Sequence, residues 1–65
     1  MLSFADLVRG YEQEGDKEAL LQLRGLVERF YIAREGVHPL VKLAIEQERD
    51  RRLTMVDEAL GRLEQ

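Results

Sequence analysis

Residues 39–64 read PLVKLAIEQERDRRLTMVDEALGRLE, and how they are read decides the fold. Pro39 suits the first position of a helix, where its missing N–H needs no partner. Nothing from there to Glu64 forces a break, so one helix over 39–64 is expected, ~39 Å long at 1.5 Å per residue. In its middle, residues 46–52 (EQERDRR) carry no apolar side chain. Glu46–Arg49, Glu48–Arg51 and Glu48–Arg52 fall at the three- and four-residue spacings where charges pair along a helix. The charged stretch therefore continues the helix and is not a linker. Leu40, Leu43 and Ala44 lie ahead of it. Beyond it, Leu53, Val56, Leu60 and Leu63 form a stripe at spacings of three, four and three.

Working outward, apolar residues recur at helical spacing through most of the chain, and no strand pattern competes. Ser3 and Asp6 fit a capping box, and Leu2 and Leu7 a hydrophobic staple across it. The first helix is expected over 4–14, with Phe4, Leu7, Val8 and Tyr11 on one narrow face. Gly15 can close it in the left-handed conformation, and Asp16 can cap the next helix. The second helix is expected over 17–35, ending at Gly36. Its apolar set (Ala19, Leu20, Leu21, Leu23, Leu26, Val27, Phe30, Tyr31, Ile32 and Ala33) is wide enough for a central helix covered on two sides. His38 precedes Pro39 and can cap the third helix.

A hairpin folded about Val37 sets residue 53 near residue 21 and sends residues 57–64 past the start of the second helix. In that register the stripe Leu53, Val56, Leu60 and Leu63 needs cover. The first helix can supply part of it, and a second copy of the chain the rest. The same register puts EQERDRR opposite residues 22–28, where Gly25 could admit a packed Arg49; a solvated charged face is the competing reading. The expected architecture is thus a single all-α domain over 1–65. It has three helices, the last two in an antiparallel hairpin, and is expected to assemble as a helical-bundle dimer. Leu53, Val56, Leu60, Leu63 and Tyr31 are the expected self-association and partner residues, with Arg49, Arg51 and Arg52 as a charged rim.

Composition narrows the function classes. Sixty-five residues bury only a small core, and small folds are usually reinforced by disulfides, a metal or another chain. There is no Cys and only one His, which argues against the first two and leaves association. A net charge of −3 argues against a general nucleic-acid binder. The interleaved acids of 46–52 argue against a phosphate-binding face. No apolar run is long enough for a membrane span, and MLSFADLVRG lacks a secretion leader, so a cytoplasmic protein is expected.

One Ser, one Thr and one His offer no nucleophile–base pair, and there is no Gly-rich phosphate loop. No cofactor and no metal are expected, and the chain is not expected to be an enzyme. Residues 38–53 (HPLVKLAIEQERDRRL) resemble a stretch of the theta subunit of bacterial replicative polymerase, through Pro39, Leu40–Val41, Ala44–Ile45–Glu46, Glu48 and Leu53. That family is a small helical accessory protein that binds the proofreading subunit. The resemblance covers about a quarter of the chain. It departs ahead of His38 and at Asp50, where the family has a second Pro, and it transfers no site residue. The expected function is a small non-enzymatic interaction module or regulator, associating with itself and with another protein. The alternative is a nucleic-acid-associated regulator or accessory subunit of a replication or transcription complex.

Overall fold

The computed structural model describes residues 1–65 and contains three helices and no strand: α1 (Phe4–Glu14), α2 (Lys17–Phe30) and α3 (Pro39–Leu63). Their starts are set by local chemistry. Ser3 Oγ accepts a hydrogen bond from the Asp6 N–H, and the Ser3 N–H donates to Asp6 Oδ2, both at 3.1 Å, so the capping box forms with Asp in the reciprocal position. Gly15 closes α1 at φ 66°, a conformation that would strain a residue with a Cβ. Asp16 Oδ1 accepts from the Ala19 N–H at 3.0 Å and opens α2. His38 Nδ1 accepts from the Leu40 N–H at 3.1 Å, with Pro39 in the first turn of α3.

The end of α2 differs from the sequence expectation. The helix stops at Phe30, five residues short of Glu35, and Tyr31 leaves helical geometry at φ −95°, ψ 63°. Gly36 does not terminate a helix. It takes φ 86° in a turn closed by the Val37 N–H on the Arg34 carbonyl at 3.3 Å. Residues 31–38 are thus an eight-residue connector. What Tyr31 makes instead of another helical turn is a stack on the Arg52 guanidinium, 5.0 Å from its ring centre.

The register of α2 against α3 differs as well. Arg24 Nε donates to Asp57 Oδ1 at 2.8 Å, and Lys17 Nζ lies 3.1 Å from Glu64 Oε1. Both pairs fit one antiparallel register, which sets residue 53 near residue 28 instead of residue 21. The first turn of α2 therefore reaches the last turn of α3, and α2 ends at the level of residue 51. Meanwhile α1 runs parallel to α3: Phe4 meets Arg52, and Glu12 accepts a bidentate pair from Arg62 at 2.7 and 2.8 Å. Each helix touches the other two, so α2 is one edge of a triangle and not a central layer.

Both shorter helices consequently cover the same half of α3. Its other half, residues 39–50, extends ~18 Å beyond the bundle with only the connector to accompany it. The overall extents, 41 × 26 × 14 Å, reflect this projecting helix. The core is small. Val8, Leu20, Val56 and Ala59 form one buried cluster, with Phe4, Tyr11, Leu23, Leu60 and Leu63 packed partly buried around it. Val27 is the only other buried residue.

Gly25 lies mid-helix in α2, and no neighbouring backbone approaches it. A Cβ built there meets only Arg29 Nη1, at an ordinary 3.8 Å. Of the two readings of the charged stretch, the one that packs Arg49 against Gly25 is excluded, because the observed register carries Arg49 past the end of α2. Gly25→Ala should therefore stabilise the fold by ~0.5–1 kcal/mol through helix propensity. Thermal unfolding should show a rise of about 4 °C or more for a domain of this size. A lowered melting temperature would mean that something else comes close to this backbone.

Candidate interaction surface

The stripe expected to need a partner is covered within the chain. Val56 is fully buried, with Val8 of α1 and Leu20 of α2 in the same cluster, and Leu60 and Leu63 pack on that cluster. Leu53 is partly buried. The first helix, expected to cover the stripe in part, does so together with α2, because the register has slid α2 along α3 to meet it.

Tyr31 and the arginines expected at the rim have divergent fates. Arg52 is the most enclosed of those paired with Glu48. Its guanidinium sits between two rings, 4.6 Å from the centre of Phe4 and 5.0 Å from that of Tyr31, and its Nε donates to Glu48 Oε1 at 2.7 Å. One side chain thereby ties the start of α1, the end of α2 and the middle of α3. Arg51 bonds both oxygens of Glu48, at 2.7 and 2.9 Å, from an exposed position on the outside of the helix. These hydrogen bonds, from Arg51 first and Arg52 second, hold the Glu48 carboxyl below the usual carboxylate range. Arg49 is half-buried. Two of the three arginines thus spend their charge on one carboxylate, which weakens any phosphate-binding reading of the cluster.

The apolar surface that does remain open lies elsewhere. Met1, Leu2, Leu21 and Leu26 are exposed elsewhere in the chain, and five more large apolar residues, Phe30 (75 % exposed), Ile32, Leu40 (71 %), Val41 and Leu43, are exposed within residues 30–43. On the projecting half of α3, Leu40, Leu43, Ala44 and Gln47 follow the three-and-four spacing of a single helical face, and all four are exposed. One turn further, inside the bundled half, the same face turns polar at Arg51 and Thr54. The face is therefore apolar only where the bundle does not reach. Its spacing is present in the sequence, and it stays open because α2 ends at the level of residue 51.

The same stretch of chain carries Arg29, Arg34 and Lys42, and Glu35, Glu46 and Asp50, all exposed. Lys42 and Glu46 pair along the helix at 4.0 Å. No helix is long and apolar enough to cross a membrane. Compared with known protein families, with curated proteins and with solved structures, the chain matches none. The likeness of residues 38–53 to the polymerase theta subunit therefore stands without a family match.

The arginine sandwich makes a testable contrast. Arg52 is 27 % exposed and stacked on two rings, whereas Arg51 is 64 % exposed and hydrogen-bonds Glu48. Arg52→Ala should cost ~1–2 kcal/mol, and Arg51→Ala clearly less. Urea unfolding of the two variants reads this directly. Equal losses would contradict the role given to the stack.

Proposed function

We propose that this chain is a small non-enzymatic interaction module that presents the projecting half of α3, with the end of α2 and the connector, to a protein partner. The observation that carries this reading is the exposed group Phe30, Ile32, Leu40, Val41 and Leu43, gathered within fourteen residues of a chain that buries only five. Single exposed apolar residues are ordinary, but several on one helical face, as Leu40, Leu43 and Ala44 are, are a usual mark of a contact surface. Amphipathic helices are recognised through residues at this spacing. The bundled half of the molecule then serves as a rigid mount for the projecting half. Leu53, Val56, Leu60 and Leu63 pack within the chain itself, which leaves the projecting half of α3 as the surface offered to a partner.

The test is differential. The native chain and the Leu40→Glu/Leu43→Glu variant are immobilised in parallel and challenged with native cell extract. The reading predicts a protein retained by the native chain, lost from the variant, and rebinding when purified. Retention of the same proteins by both chains, or of none by either, would contradict it.

A further inference from the structure

We infer that the outer face of α2 joins two copies of this chain in a two-fold, antiparallel dimer. The inference is independent of the surface proposed above, which lies on α3 and the connector. Glu18, Leu21, Gln22, Gly25, Leu26 and Arg29 line an open groove of about 470 Å³ along α2. Their three-and-four spacing is that of one helical face, opposite the buried Leu20 and Val27. Residues 18, 21, 22 and 25 form one four-residue hole, and residues 22, 25, 26 and 29 the next. Holes of this kind receive the side chains of a facing helix. Gly25 opens a notch between them, where a Cβ would meet only Arg29 Nη1, at 3.8 Å. Gly25→Ala acts oppositely on the two states: it stabilises the separate helix and narrows the notch.

The charges of this face identify its occupant. On α2, Lys17 pairs with Glu64, and Arg24 with Glu28 and Asp57. Glu18 and Arg29 are in no ion pair, and both lie on the groove. They stand at its two ends, three helical turns or ~16 Å apart. A helix that satisfies both must carry a cation and an anion at that separation. The face itself has this pattern when a second copy lies antiparallel. Glu18 then meets the partner's Arg29, and Arg29 the partner's Glu18.

The same two-fold axis, midway between residues 18 and 29, sets Gln22 over the partner's Gly25, a long side chain over a missing one. Leu21 and Leu26, 50 % and 42 % exposed, flank this line and meet the partner's Leu21 and Leu26. A parallel copy would set Glu18 on Glu18 and Arg29 on Arg29, so the charges select the antiparallel arrangement. Exposed ion pairs add little strength, so the attraction comes from the leucines and the close approach at Gly25. Because α3 outruns the C-terminal end of α2, this dimer sends its two projecting halves of α3 in opposite directions and leaves both open.

Sedimentation equilibrium over the micromolar to submillimolar range tests this, with circular dichroism as the check on folding. The native mass should rise from 7.6 kDa toward twice that value with concentration. Glu18→Arg and Arg29→Glu, both at exposed positions, should each weaken self-association about tenfold or more, because each sets like charges together at both ends. An equimolar mixture of the two should dimerise as the native chain does, since one chain then carries two cations on this face and the other two anions. Leu40→Glu/Leu43→Glu, on the projecting half of α3, should dimerise as the native chain does.

A native chain that stays monomeric overturns the inference. So do charge variants that dimerise as well as the native chain, a mixture that associates no better than its separate components, or an α3 variant that loses as much association as the charge variants. If a charge reversal unsettles the helix, Glu18→Cys and Arg29→Cys decide instead, in a chain with no cysteine of its own. On oxidation, their mixture should form the 18–29 disulfide in preference to 18–18 and 29–29. An even spread among the three would overturn the antiparallel pairing.

Discussion

The antiparallel register between α2 and α3, marked by Arg24 on Asp57 and Lys17 on Glu64, sets everything else in this molecule. Neither pair is buried, and exposed pairs of this kind contribute little stability on their own. They report a register that the packing of Leu20, Val56 and Ala59 enforces. Because α2 is fourteen residues long and α3 twenty-five, the register decides which half of α3 is enclosed. It encloses the second half, and α1, running parallel to α3, covers that half as well. The first half is left to project.

The Arg52 sandwich stands at the boundary between the two halves. On the bundle side, the inward positions of α3 are Leu53, Val56, Leu60 and Leu63. On the other side they are Ile45 and Arg49, and the outward face becomes apolar. Phe4 supplies one ring from the beginning of α1, and Tyr31 the other from the end of α2. A guanidinium suits this position better than an aliphatic side chain would. It stacks on both rings while its edge reaches Glu48 in a site that is only partly dry. The charged stretch 46–52 thus has two uses: an outer face in water, and one arginine that closes the end of the core.

Much of this was legible from residue order alone, and the reason is locality. Ser3 with Asp6, Gly15 with Asp16, and His38 with Pro39 act within four residues of themselves, so the helix starts and the first helix end lay where local chemistry placed them. The α2 terminus was not local. Gly36 offered a stop signal, but Tyr31 left the helix five residues earlier, for a stack on a side chain far along the sequence. Placing the hairpin about Val37 then set α2 seven residues out of register. Seven residues are close to two full helical turns, so the same faces still met and the apolar pattern could not expose the shift. The stripe Leu53 to Leu63 is covered by α1 and α2 together. The shift hid that α2 itself reaches it, and it exchanged the covered half of α3 for the open one.

Native-state hydrogen exchange tests the central claim, that the bundle encloses only the second half of α3, most directly. At a concentration where the chain is monomeric, amides of residues 53–62 should exchange only through global unfolding, and those of residues 43–48 orders of magnitude faster, through local opening. Uniform protection along the whole of α3 in the monomer, or stronger protection over 43–48 than over 53–62, would contradict the register on which this account stands.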